Sequence, residues 1–264
     1  MGGESVTRAA LTANGMALTD LYIMDYDRTS GRLLQVLHQT STAADFASPS
    51  LLLDYGEHTL KVVATRSSTS ALQTAAGAAW AVADNVLTKV PTTADAPVLL
   101  ASDKTSDTFG AEVDVTVSAG TSDAVSITLE RLVAKLVIYA TDTFPADCST
   151  FNVSLDEYTA LSWTTLSVIE AQKNHRISDV SNLAGSAGAI VSYFVLSPAD
   201  GYTTDVLITP GSTSGTAYTP VSVAAVPLER NKVTTITGTI YGHTRGLSIK
   251  VNDAWSTETH DISL

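Results

Sequence analysis

Two pairs of carboxylates and five histidines are the residues of this chain whose types could hold a cation or move a proton. Asp25 and Asp27 flank Tyr26, and Asp103 and Asp107 sit in "ASDKTSDT". Either pair offers the oxygen donors that Ca²⁺ takes in an extracellular protein. Neither has the spacing of a defined calcium loop, and a solvated turn is the reading adopted for both. His38, His58, His175, His243 and His260 are scattered. No two fall at metal-ligand spacing and no H-E-x-x-H exists, so they are read as surface or packing histidines. There is no G-x-S-x-G elbow, P-loop or G-x-G-x-x-G. The single cysteine, Cys148 in "PADCSTF", has no histidine beside it and is read as a structural thiol. One cysteine excludes an internal disulfide and a cysteine-based zinc site. Tyrosines and tryptophans could line a glycan platform, but Trp80, Trp163 and Trp255 are spread along the chain, and core packing is their default. No metal, cofactor or enzyme active site is expected.

The elements that must position these residues follow from composition and periodicity. The chain has 264 residues, enough for one large or two medium domains. Hydrophobic residues make up 44% and charged residues only 16%, below the usual quarter. Thr, Ser, Ala and Val fill the difference, as suits an extracellular all-β protein. The formal net charge of −12 opposes binding to nucleic acid or to anionic membranes. No stretch is long and apolar enough to span a membrane. "MGGESVTRA" lacks a charged n-region and an apolar h-region, so no signal peptide is expected, and composition favours a mature exported form.

"LTDLYIMDYD" (18–27) and "RLLQVLHQT" (32–40) read as two strands joined by the turn "RTSG", a hairpin. In "LLLDYGEHTLKVVATRS", Gly56 is expected to separate a short strand from a second, "HTLKVVAT". The Ala-rich stretch 70–90 predicts one or two short helices, ended by Pro91 and Pro97, and "PVLLAS" a short strand. "AEVDVTVSAG" and "DAVSITLE" alternate cleanly, Val113, Val115 and Val117 on one face and Val125, Ile127 and Leu129 on another. "AIVSYFVLSP" (189–198) is nearly continuous apolar and reads as a buried strand. "TDVLITP", "YTPVSVAAVPL", "NKVTTITGTIYG" and "GLSIKVNDAW" complete a pattern of short strands between turns, which indicates β-sandwiches.

"ITLERLVAKLVIYATD" (127–142) puts Arg131 and Lys135 inside an apolar run. Its spacing fits helix or strand, but its first residues continue an alternating strand, which favours strand throughout. On one strand Arg131, Val133, Lys135 and Tyr139 share a face. Long aliphatic stems would cover that face while their charged heads reach water, as near a domain junction. The boundary is placed around 120–130, with "SAGTSD" (118–123) the most linker-like stretch.

Taken in order, these segments resemble the fimbrillins, the major-pilin-like subunits of Bacteroidales type V pili. The resemblance lies in "LTDLYIMDYDRTSGRLLQV", "YGEHTLKVVAT", the Ala-rich crossover with "APVLLAS", "ITLERLVAKLVI", "VPLERNKVTTITGTIYG" and "LSIKVNDAW". It implies an all-β fold of two transthyretin-like Greek-key β-sandwich domains, 1–125 and 126–264, with a short helical insert in the first. It implies export through the outer membrane as a lipoprotein precursor, a place in the fimbrium at the cell surface, and trimming after an arginine near the N-terminus, for which Arg8 is the candidate. Its partners would be other pilin subunits, joined by strand addition.

The function expected is therefore a structural pilus subunit supporting adhesion. The alternative is a tip module binding host or bacterial surface glycans or proteins. The C-terminal segment is the candidate donor strand: Leu247, Ile249 and Val251 fall on one face, with Trp255 beyond, as plugs for an apolar groove require. The same alternation also suits a last strand of the chain's own domain.

Overall fold

The computed structural model describes residues 12–13, 16–66, 72–73, 82–83, 86–87, 99–100, 107–120, 124–162, 165–242, 246–252 and 260–263. Among them the chain is all-β, with one 3₁₀ turn at Ser181–Leu183. Alternating sequence builds the first sheet. Strands β1 (Asp20–Asp27) and β2 (Leu33–Thr40) form the expected hairpin. Its turn is closed by Asp27, whose Oδ1 accepts from Ser30 N at 2.6 Å and Ser30 Oγ at 2.7 Å. β3 (Gly56–Thr65) pairs with β1, β4 (Thr108–Val117) with β3, and β5 (Ser126–Arg131) with β4, all antiparallel. "LLLDY" is loop rather than the expected short strand: it has no ladder partner, and its carbonyls bond to side chains instead.

Both faces of this sheet are apolar. Leu21, Ile23, Val62, Phe109, Ile127 and Leu129 pack on one face, and Tyr22, Met24, Val36 and Val63 on the other. The second group is completed by Leu132, Leu161 and Leu196 from the far part of the chain. The two faces thus have different partners, and the second is the contact between the sheets.

The second sheet contains β6 (Val133–Ala140), β7 (Cys148–Ser162), β8 (Ser167–Asp179), β9 (Ala189–Leu196), β10 (Tyr202–Ser212), β11 (Val221–Leu228), β12 (Val233–Gly238) and β13 (Leu247–Asn252). Its order is β11-β10-β7-β9-β6-β12-β13, with β8 added to β7. β6 and β12 are parallel, in register from Lys135↔Val233 to Ala140↔Gly238, and the other pairs are antiparallel. The sheet folds over one core that takes Leu136, Ile138, Val153, Leu155, Ile208, Val226 and Ile236 from five strands. β9 alternates in burial, leaving Ile190 exposed, so "AIVSYFVLSP" is one-sided rather than buried on both faces.

The last described strand, β14 (His260–Ser263), leaves this sheet and pairs with β5 at the edge of the first. The first sheet therefore has the order β14-β5-β4-β3-β1-β2. Residues 118–123 connect β4 to β5 within the first sheet, and the change of sheet comes at Leu132. Leu132 N donates to Thr108 O of the first sheet at 2.9 Å, and Leu132 O accepts from Ser197 N, just beyond β9, at 3.2 Å. A Cβ at Gly110 would lie 2.8 Å from Leu132 Cδ1, so glycine is what lets this junction side chain seat itself.

Of the stretch 70–90, expected to be helical, the structure describes Leu72–Gln73, Val82–Ala83 and Val86–Leu87, and these are short strand pairs. The other residues of that stretch lie outside the described residues. Leu99–Leu100, from "PVLLAS", pairs with Leu72–Gln73 as a short strand.

Candidate functional site

Of the acidic and histidine residues that opened the sequence reading, the described ones come together in the pair Asp25 and His58 and in no larger group. Asp25 is buried on β1 and bonds to His58 Nδ1 at 2.7 Å. Asp27, four-square in the turn after β1, is held below the usual carboxylate range by its Ser30 hydrogen bonds. His38 is stacked on Tyr22, ring centroids 4.2 Å apart, with Nε2 2.9 Å from Asp20 Oδ1. His175 is exposed on β8. His243, Asp103, Trp80, Trp163, Trp255 and Arg8 lie outside the described residues, and of His260 only the strand pairing is described. Among the described residues no three His, Cys, Asp or Glu side chains are grouped to hold a metal ion. Cys148 is buried with Sγ 3.2 Å from Val180 O, and burial pushes its thiol pKa up, helped by the charges of Asp147 and Asp179.

Arg131 corrects the reading of its stem and head. It ends β5 in the first sheet, whereas Lys135 lies on β6 in the second, so the two do not share a strand face. The Arg131 guanidinium does not reach water. Its side chain is 1% exposed, and Nε and Nη2 grip Asp107 Oδ1 and Oδ2 at 2.9 and 3.1 Å. Nη1 donates to Asn231 Oδ1 at 2.7 Å, and the group lies 4.6 Å over the Phe109 ring. Asn231 belongs to the turn between β11 and β12. A side-on ion pair of this geometry is the strong form of the interaction; it lies within the first sheet, and the Nη1 bond to Asn231 ties it to the second. Lys135 keeps closer to expectation: half-buried, its Nζ lies 5.8 Å from the Phe194 ring centroid.

The C-terminal segment is the arrangement with the most to offer chemically, because it occupies sheet edges. β13 pairs with β12 from Gly238↔Leu247 to Val233↔Asn252. Among the described residues no strand pairs with its outer edge. Leu247 and Val251 are half-buried, while Ile249, between them on the same face, is 40% exposed. This alternation is therefore only lightly plugged into its own core. The connection into β13 is anchored upstream: the Asp142 carboxylate accepts the backbone N–H groups of Ile240, Tyr241 and Gly242 at 2.9, 2.6 and 2.9 Å. Ile240 is buried, and Tyr241 packs on Phe144, Phe151 and Tyr218. Gly238 is needed for the close approach of β13, since a Cβ there would lie 2.6 Å from Leu247 Cδ2 and closer still to the Gly246 carbonyl.

Sequence reasoning missed Asp142, the Asp107–Arg131–Asn231 clasp and the long hairpin β7–β8. The hairpin had a signal in Phe151, Val153 and Leu155, which alternate. The clasp had none, since its members are 24 and 100 residues apart.

The model of a family of unknown function, DUF6562, matches residues 68–263. No curated protein matches the chain at a significant level. Among solved structures, that of candidate polysaccharide binding proteins (DUF1812) from Bacteroides thetaiotaomicron VPI-5482 is similar over 93% of this chain and 90% of its own, at 11% identity and a TM-score of 0.55. A candidate adhesin from Bacteroides ovatus is similar over 93% and 89%, at 12% identity and a TM-score of 0.52. The fimbrial anchor protein Mfa2 from Porphyromonas gingivalis aligns over 89% of each chain, at 11% identity and a TM-score of 0.48. At such identities the likeness to the first two is one of fold.

Proposed function

The chain belongs to DUF6562, a family of unknown function, and we propose that it is a structural, non-enzymatic subunit of a cell-surface pilus that joins its neighbours through the C-terminal segment. The observation that carries this reading is the position of that segment: β13 on the edge of the second sheet and β14 on the edge of the first. An edge strand that is lightly buried can leave its own sheet and add to another, with ladder hydrogen bonds supplying affinity. Leu247, Ile249 and Val251 are the plugs, and Trp255 extends them. The fold shared with a candidate Bacteroides adhesin supports a surface role. The proposal includes two units meeting at Leu132, export as a lipoprotein precursor, and processing after Arg8.

A second reading, a glycan-binding tip module, is favoured by one observation. Leu52 and Tyr55 project into solvent from the loop before β3, 92% and 76% exposed. The fold is also shared with candidate polysaccharide binding proteins.

The test is size-exclusion chromatography with and without trypsin-like trimming, on the full chain, on a chain lacking 246–264 and on Gly238→Ala. The donor reading expects polymers from the trimmed full chain, a folded monomer from the truncation, and faster assembly from Gly238→Ala, whose methyl group pushes β13 off β12. A truncated chain that still polymerises would sink it. A monomer throughout, giving signal on a glycan array that Tyr55→Ala abolishes, would favour the second reading.

A further inference from the structure

Asp25 is the root of a branched hydrogen-bond network that holds a loop. His58 Nδ1 lies 2.7 Å from Asp25 Oδ1, and His58 Nε2 lies 2.9 Å from the Asp54 carbonyl. Gln35 Nε2 donates to Asp25 Oδ2 at 3.1 Å and to the Leu52 carbonyl at 2.9 Å. Two side chains thus reach from one buried carboxylate to two carbonyls of the same loop. Beside those grips Leu51 turns inward onto the first core, while Leu52 and Tyr55 project outward.

The network needs one particular proton. A carbonyl can only accept, so Nε2 must carry a hydrogen. The contact between Nδ1 and Asp25 then needs a second, shared by ring and carboxylate. If the pair loses that proton, the neutral ring keeps one hydrogen for two acceptors and must give up either Asp25 or Asp54. The surroundings favour retention. Asp25 and Asp27 come from β1, Asp54 from the loop and Glu57 from β3. Val115 of β4 lies opposite His58, with Asp114 beside it paired to Arg28. Burial lowers the His58 pKa, but hydrogen bonds to Asp25 and Asp54 and the charges of Asp25 and Asp27 outweigh it and leave the pKa raised.

We propose that Asp25, Gln35 and His58 form a proton-dependent latch that holds the 51–55 loop against the first sheet and fixes Leu52 and Tyr55 in their outward position. With the proton in place the loop is held at both carbonyls. Without it the ring keeps only one of its two bonds, the link from Asp25 through His58 to Asp54 is broken, and only Gln35 still joins the carboxylate to the loop. A histidine with a raised pKa contributes fully below its unfolded value of about 6.5 and loses its contribution as pH rises through the folded value. The latch is therefore closed in acid and opens towards alkaline pH. It does not depend on the pilus reading.

The test is a pH titration of the full chain by NMR, following the His58 ring, the Leu52 methyls and the Tyr55 ring together. The expected result is a His58 midpoint above about 6.5, with the Leu52 and Tyr55 signals moving at that same midpoint. Gln35→Ala should enlarge the loop's response, His58→Gln should abolish it, and His38→Gln should leave it intact. A His58 midpoint at or below the ordinary value would overturn the proposal. So would loop signals that stay flat while His58 titrates, a test the unmodified chain supplies even where a variant does not fold.

Discussion

Replacing Asp107 by alanine strands the Arg131 guanidinium in a site where its side chain is 1% exposed. The variant removes both carboxylate contacts, at 2.9 and 3.1 Å, and leaves the positive charge over the Phe109 ring, which water cannot reach to compensate. Breaking a buried pair from one side costs about 3–5 kcal/mol. With a urea slope of roughly 3 kcal/mol per molar, the upper part of the usual range, the midpoint should fall by about 1–1.7 M with the slope unchanged. Arg131→Met combined with Asp107→Leu removes both charges and keeps the volume. It should cost less than the two single changes together by about 2 kcal/mol or more. Urea unfolding followed by circular dichroism on the wild type, Asp107→Leu, Arg131→Met and the double variant closes the cycle, with Asp107→Ala measured beside them. A loss below about 1 kcal/mol in Asp107→Ala, or strict additivity, would falsify the view that this buried pair holds the end of the first sheet together.

Asp142→Ala should cost roughly 2–4 kcal/mol, since three backbone donors lose one charged acceptor. Hydrogen exchange at Ile240, Tyr241 and Gly242 should rise with it, and unchanged protection there would show that the carboxylate does not hold the connection to β13. Leu132→Ala should cost about 2–5 kcal/mol, as for other buried leucines, and a loss under about 1 kcal/mol would mean that the contact between the sheets closes over the gap. Cys148 should resist a thiol reagent in the native protein and react only on unfolding, because the thiol is buried and its pKa raised. Fast labelling in buffer would contradict the packing drawn around Val180.

Strands whose one face meets a core were legible, because alternation needs no partner to be recognised. β4 and β5 declare themselves through Val113, Val115, Ile127 and Leu129. β8 does not: "SVIEAQKNHRISD" has little apolar periodicity and is a strand because β7 pairs with it along nearly its whole length. The strand character of 127–140 was legible, but the break at Leu132 was not. Local spacing cannot say that Leu132 N and O bond to different sheets. Arg131 is the sharpest case. Snorkelling was reasonable for a long cation in an apolar run, but its real partners come from β11–β12 and from just before β4. His58 was assigned to packing, and burial agrees with that. Its bonds to Asp25 and Asp54 were beyond the sequence, which holds no motif for a pair 33 residues apart.

The parallel pair β6–β12 has a mechanical meaning. The first sheet attaches to β6 at Val133, and the C-terminal segment leaves β12 at Gly238, the opposite end of their six-residue register. Once β14 has come away from β5, tension running from the first sheet to the C-terminus slides these strands lengthwise past one another. The whole ladder must yield together, instead of parting bond by bond from one end as a zipper does. The antiparallel pair β12–β13 joins at the Gly238↔Leu247 end, so a pull on the chain beyond Asn252 peels that pair from its far end. Under load the molecule has a strong seam and a weak one in series, and the weak seam is the strand at its C-terminal edge.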